Sequence, residues 1–314
     1  MELYILIMRN RIFLSFFIVT SIVGCTKLPE GVVHIIDFPE HDPQLAVTLI
    51  ANEGDDNLIA LVYSSASVMD SVGSQPVADA VITLSTAEAE VLFSLSSADF
   101  SNSLYTQFLD NPLENISGEL TLTVDAPDYE TVTATSKMPT KPVFEIIYEH
   151  AIDTITSPFC GQYIRDQYVI NIENNLNENN TYLIYIDGRY LDMETGLLQP
   201  WKNLSVETRL DPRLLVLDSF MGILISDEQA TEDPSALNDI YLYTQSGQFE
   251  GDTPLEIRVR IKALSIEFAN YTESIDQLEM NGADLLATSQ TVYSNISSGF
   301  GCFGLASETI IVID

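Results

Sequence analysis

The chain has 314 residues, 46% of them hydrophobic, and carries 13 basic against 46 acidic side chains for a net charge of −33. That length and apolar fraction exclude a disordered polymer and suffice for one large or two ordinary domains. A field of that sign repels phosphate backbones and anionic lipid, which excludes nucleic acid as a partner.

In chain order, the first expected element is an export leader. Arg9 and Arg11 supply a positive segment, and residues 12–23 form an apolar run. The run is about a dozen residues, short of the roughly 20 that a spanning helix needs, so a cleaved signal peptide over 1–24 is expected instead. Glu2 ahead of the arginines suggests that Met8 is the working start. The run ends at Ile22-Val23-Gly24-Cys25, which resembles the lipobox of bacterial lipoproteins, with Val23 a looser fit than Ala or Ser. The alternative is a plain secretory signal with an incidental cysteine, which leaves unexplained why the run stops there. The expected mature chain therefore begins at an acylated Cys25, with residues 25–30 as its tether. Each buried methylene of an acyl chain such as palmitate contributes about 0.8 kcal/mol, so several chains together anchor durably. Lys27, rather than an acidic residue, points to the outer membrane; periplasmic and cell-surface faces both remain open.

Beyond the tether, short alternating runs outnumber helical patterns, which predicts a mainly β protein. Strands are expected at 45–51, 58–64, 80–84 and 120–124, with turns at 52–57, 111–112 and 126–128 where Gly, Asn, Asp and Pro cluster. In 120–124, Leu120, Leu122 and Val124 face one way and Thr121 and Thr123 the other, as in a sandwich with one wet face. These outline a first domain over 31–139. Pro139-Thr140-Lys141-Pro142 holds the expected linker, 140–142, because the two prolines favour an extended segment. A second β-rich domain is expected over 143–314, with strands at 168–172, 182–186, 240–243, 255–264 and 309–313 and a polar hairpin tip at 174–180. One short helix is predicted there. Ser265 is its N-cap, Ala269, Tyr271, Ile275 and Leu278 share a face, and Asn281-Gly282 stops it.

The residues offer little chemistry. Cys160 and Cys302 are an even pair in an oxidising compartment. They form either a disulfide, whose long loop would contribute about 4 to 5 kcal/mol, or two buried free thiols. Gly299-Phe300-Gly301-Cys302-Phe303-Gly304 matches the dinucleotide-binding pattern letter for letter. That pattern needs a helix after it to receive the pyrophosphate, and only a strand's length of chain remains. The glycines are instead expected to permit tight packing in a bent segment. The histidines are His34, His41 and His150, without a G-x-S-x-G elbow or an H-E-x-x-H pair. The acidic loops at 53–56 and 227–233 lack the ligand spacing that wraps calcium, so solvated loops are expected. In Glu256 to Lys262 the alternation places Arg258, Arg260 and Lys262 on one strand face. They form either an anion or acidic-partner patch, or a wet sheet face paired with carboxylates on neighbouring strands, the reading the alternation favours. Trp201 is the lone tryptophan and offers little as a carbohydrate platform.

Several segments together resemble the DUF4249 family of lipoproteins from Bacteroidota, over nearly the whole mature chain. Ile36-Asp37-Phe38-Pro39-Glu40-His41-Asp42-Pro43-Gln44-Leu45 is similar to the family's opening segment, and Pro76-Val77-Ala78-Asp79-Ala80-Val81 to a strand of the form PVxxAxV. Residues 129–139 resemble the end of its first domain, with Asp128-Tyr129 where a Gly-Tyr pair is usual. Ser226-Asp227-Glu228 resembles an SDE segment without the glycine that normally follows. The run from Ser294 to Gly304 is the most specific match, to a C-terminal signature of the form sNIxxGxGxFG. The resemblance implies an immunoglobulin-like or carboxypeptidase-regulatory-like N-terminal sandwich followed by a β-rich domain, in an outer-membrane lipoprotein that accompanies TonB-dependent transporters. It carries over no catalytic, cofactor-binding or metal-ligating residues. The expected function is thus a non-enzymatic accessory or ligand-binding partner of such a transporter. A surface glycan-binding or adhesive module is the alternative, and a carboxylate-based hydrolase a remote one.

Overall fold

Leu45, Val47, Leu49 and Ala51 are buried while their neighbours face outward, and that period of two makes the segment a strand with one dry face. The same logic runs through most of the chain. The computed structural model describes residues 41–67, 73–86, 93–99, 104–108, 118–157, 161–173, 179–209, 211–217, 220–227, 237–247, 253–281 and 291–313. The expected leader, Cys25 and its tether, Cys160, the 111–112 turn, most of the 174–180 tip and most of the 227–233 loop lie outside the described residues.

The protein is mainly β. Its first strands are β1 (Leu45–Asn52), β2 (Asn57–Ser64), β3 (Gln75–Pro76), β4 (Val81–Thr86), β5 (Phe93–Asp99), β6 (Leu104–Phe108), β7 (Glu119–Asp125) and β8 (Val132–Lys137). They hydrogen-bond in the order β1-β2-β6-β5-β4-β7-β8. Leu45, Val47, Leu49 and Leu58 from one end of that order share a core with Ile82, Leu84, Leu120, Leu122 and Val132 from the other, so two layers face each other. Tyr105 pins them at the centre. Its buried hydroxyl donates to Val77 O at 2.6 Å and accepts from Ala80 N at 3.1 Å.

The chain continues through β9 (Phe144–Ser157), β10 (Gly161–Ile172), β11 (Thr181–Arg189), β12 (Lys202–Asn203), β13 (Val206–Glu207), β14 (Leu214–Leu217), β15 (Gly222–Ser226), β16 (Ile240–Gly247), β17 (Glu256–Leu264), α1 (Ile266–Asn281) and β18 (Phe300–Ile313). Strands β13-β16-β10-β9 form a separate sheet, whereas β14-β15-β11-β17-β18 continue the first order through the pairing of β18 with β1. Tyr168, Ile170 and Leu242 of the former meet Ile184, Ile186, Val259 and Ile261 of the latter in a separate core.

β18 serves both cores. It runs antiparallel to β17 and parallel to β1, with Leu49 opposite Phe303 and Ala51 opposite Leu305. Phe303 and Leu305 complete the first core, and Ile311 and Ile313, further along the same face, pack on the second. Residues 42–314 accordingly form one compact unit, with 138–143 crossing between β8 and β9 without regular structure. The glycines of the 299–304 segment are there for close approach. A Cβ on Gly301, whose φ is +105°, would lie 2.0 Å from Val47 O, and one on Gly304 would lie 2.7 Å from Phe268 Cβ.

α1 covers the opposite face of β18. Ser265 caps it as expected, its Oγ accepting from Phe268 N at 3.3 Å and from Leu305 N at 3.2 Å. The buried face is Phe268, Ala269, Thr272 and Asp276. Leu278, expected on that face, is 42% exposed, because at 3.6 residues per turn it lies about half a turn around the helix from Ala269 and from the buried Asp276. Among the described residues, no helix is long and apolar enough to cross a membrane.

Candidate functional site

Antiparallel register puts Asp187 of β11 opposite Arg258 of β17, and Tyr185 opposite Arg260. On the other side of β17, Lys262 faces Glu308 of β18. All these side chains stand on the same sheet face as α1, alongside the part that the helix covers, because residues paired across a sheet point the same way and Glu308 shares its side of β18 with Cys302, Gly304 and Ala306. The three cations singled out by alternation, Arg258, Arg260 and Lys262, are therefore together.

They are held by two carboxylates. Asp187 Oδ2 accepts from Arg258 Nε at 2.7 Å and from Arg260 Nε at 2.6 Å, and Oδ1 accepts from Arg260 Nη2 at 3.2 Å. Glu308 takes Arg260 Nη1 at 3.0 Å and lies 3.9 Å from Lys262 Nζ, which also donates to Asn52 Oδ1 at 3.0 Å. Burial alone would push the Asp187 carboxyl up; the hydrogen bonds and charges of Arg260 and Arg258 outweigh it and hold the group below its ordinary range. Burial holds the Lys262 ammonium below its ordinary value despite the nearby Glu308. The patch is thus a wet sheet face whose cations are paired with carboxylates on adjacent strands.

Aromatic rings complete it. The Arg258 guanidinium lies 4.4 Å from the Trp201 ring centre and that of Arg189 lies 5.2 Å from it, while Arg260 stands 4.5 Å from the ring of Tyr185. Such stacking is worth about 0.5 to 2 kcal/mol per pair. Trp201 is the ring beneath two guanidiniums here, so its contacts are with charge. Sequence reading missed Asp187 and Trp201 as parts of this face. The alternation of β11 marks Asp187 as the odd acid in an apolar strand, but only register joins it to the arginines.

A second polar cluster sits on β9 and β10. Asp166 is buried, and its Oδ1 lies 2.8 Å from His150 Nδ1 and accepts from Ala151 N at 2.9 Å. The Tyr148 hydroxyl is 3.3 Å from the same histidine nitrogen, and burial, then the charge of Asp166, pushes its phenol up to about 12. The register between the two strands slips at this point and Ala151 has φ +55°, so the carboxylate fastens a bulge by satisfying its exposed amide.

Of the cysteines, Cys302 is a free thiol buried on β18, with Sγ 3.7 Å from Glu267 O at the start of α1. Its side chain points to the helix, on the face opposite the two cores. Burial, then the charge of Glu267, pushes this thiol up to about 12. The acidic loop at 53–56 is a turn between β1 and β2: Asp55 Oδ2 accepts from Asn52 N at 2.7 Å and from Asn52 Nδ2 at 3.1 Å. Among the described residues no group of three His, Cys, Asp or Glu is placed to hold a metal ion.

The fold and this face define a β protein with two sheet-built cores, a third apolar cluster under α1 and a paired arginine and aromatic surface. Residues 34–310 match the family model described as Domain of unknown function (DUF4249), and the chain belongs to that family. No curated protein matches it. Among solved structures, the chain is similar to trypsin-activated alpha-2-macroglobulin from Escherichia coli, at 12% identity and a TM-score of 0.22. That likeness covers 72% of this chain, which spans 15% of the length of the other.

Proposed function

We propose that this protein is an outer-membrane lipoprotein, held by acyl groups on Cys25, that works without catalysis as an accessory of a TonB-dependent transporter. The observation that carries the reading is the surface made by Trp201, Tyr185, Arg189, Arg258 and Arg260. Tryptophan, tyrosine and arginine are the residues that dominate binding energy at protein interfaces. Here Arg258 and Arg260 are set in advance by Asp187 and Glu308, and Arg189 by Glu256, so a partner does not have to order the guanidiniums. The lipobox-like Ile22-Val23-Gly24-Cys25 supports the anchor, and the resemblance to the family's lipoproteins supports the compartment and the partner.

Two measurements on one cell line test it. Cys25→Ala should move the protein from the membrane pellet to the soluble fraction; retention in the pellet contradicts the anchor. Crosslinking followed by affinity recovery should yield a β-barrel transporter with the unaltered chain, and about tenfold less with Trp201→Ala at equal protein level. Recovery that is unchanged by Trp201→Ala, or a chain that never brings down a transporter, removes the accessory role.

A further inference from the structure

The edge of β11 is shared by two partners. Residues 181–184 pair with β15, whereas Asp187 and Gly188 pair with β12. Leu204 N continues the second pairing by donating to Ile186 O at 2.8 Å. The sheet forks between the two, and a cavity of about 280 Å³ lies in the fork, half-open to solvent. Leu204, Val206, Val216, Leu217, Met221 and Ile223 supply its apolar walls. Among the described residues, the polar ones that line it are Asn203 and Ser205, and none is charged.

Half-open clefts lined mainly by apolar side chains with a few polar groups are the usual form of a small-molecule site. The mouth of this cavity carries further signs of use. Met221 stands at the rim 69% exposed, with φ +47°, a conformation that costs a residue with a Cβ and is kept only when its surroundings impose it. Asn203 imposes it here, because its Nδ2 donates to Met221 O. A carbonyl can only accept, so this contact fixes which way the amide faces. Val216, on the same β14–β15 hairpin, is 45% exposed. Two large apolar side chains thus flank an apolar opening, one of them on a backbone held by a dedicated hydrogen bond.

We infer that the fork cavity is a binding site for a small, uncharged, mainly apolar molecule. The apolar walls set the class, since a charged ligand would be desolvated against them without compensation. The volume sets the size. It is close to the lower end of small-ligand pockets and takes roughly a dozen non-hydrogen atoms. This site is distinct from the arginine and aromatic face and stands or falls apart from the transporter reading.

The test uses the full chain carrying Cys25→Ala, prepared without detergent so that no micelle competes for the probe. The probes are 2-naphthol and naphthalene-2-sulfonate, which share a ring system and differ in charge. Titration followed by fluorescence should show saturable binding of one 2-naphthol per chain, with the sulfonate at least about tenfold weaker. Leu204→Trp fills the walls and should abolish 2-naphthol binding. Val216→Trp, at an exposed rim position, should do the same with less demand on the core, and circular dichroism checks that each variant is folded. No saturable binding of 2-naphthol overturns the proposal. So does equal affinity for the sulfonate, or unaltered 2-naphthol binding in folded Val216→Trp.

Discussion

Replacing Asp187 by alanine removes the carboxylate that Arg258 and Arg260 share. The side chain is 3% exposed, and those of Arg258 and Arg260 are 23% and 19% exposed. Deleting one member of a fully buried ion pair costs about 3 to 5 kcal/mol, because the remaining charge stays desolvated. Here the guanidiniums keep some solvent and stack on Trp201 and Tyr185, which places the expected loss near the lower figure, about 3 kcal/mol. Asp187→Asn keeps the shape and loses the charge, and should cost roughly 1.5 to 2 kcal/mol. Urea unfolding reads the difference directly. With a slope near 3 kcal/mol per molar, the alanine variant should unfold about 1 M earlier than the parent, and the asparagine variant about half as much. The pH dependence has a definite sign. The Asp187 pKa is lowered in the folded state, so its contribution is complete above its ordinary value of 3.8 and is lost as the pH falls through the folded value. An alanine variant that unfolds within about 0.2 M of the parent at neutral pH would refute the claim that Asp187 organises this face.

Gly301→Ala should be among the most damaging changes in the chain. The new Cβ meets Val47 O at 2.0 Å and sits on a φ of +105°, so a loss of about 4 kcal/mol or more is expected, read as a fall in melting temperature or in yield of folded protein. Cys302 should resist alkylation. Its thiol is buried and raised to about 12, so peptide mass mapping after iodoacetamide at pH 8.5 should show it modified at least about a hundredfold more slowly in the folded chain than in urea. Equal rates in the two states would show that β18 and α1 do not enclose it.

Local pattern made much of this fold readable. The expected strands at 45–51, 58–64, 120–124 and 255–264 lie within a residue or two of β1, β2, β7 and β17, because each buries alternate residues on one face. The helix was legible from Ser265 and from the period of its first turns. Its buried side was not, since Thr272 and Asp276 face the interior and read as surface residues. β18 was legible only in its last residues. Its first half is the glycine-rich signature, whose small residues answer to Val47 and Phe268, neighbours far away in sequence. The cationic face shows the same division. Alternation in β17 placed Arg258, Arg260 and Lys262 on one side, but their partners come from strands whose register no local signal states. The fork beside β11 was illegible for a similar reason. β12 contributes two residues to a ladder, too few to leave a period.

The pairing of β1 with β18 also dictates the order in which the chain can fold. Ala46 meets Phe300 across about 250 intervening residues, and both cores take side chains from that last strand. Contacts of such long range form late, since a large loop must close before they return any stability. A chain that has not yet placed β18 therefore holds β1 with one edge unpaired, beside β2, and two unfinished cores. Folding of this unit waits for β18, and a chain truncated before Phe300 should stay open and be cleared as an incomplete product rather than accumulate as a smaller stable protein.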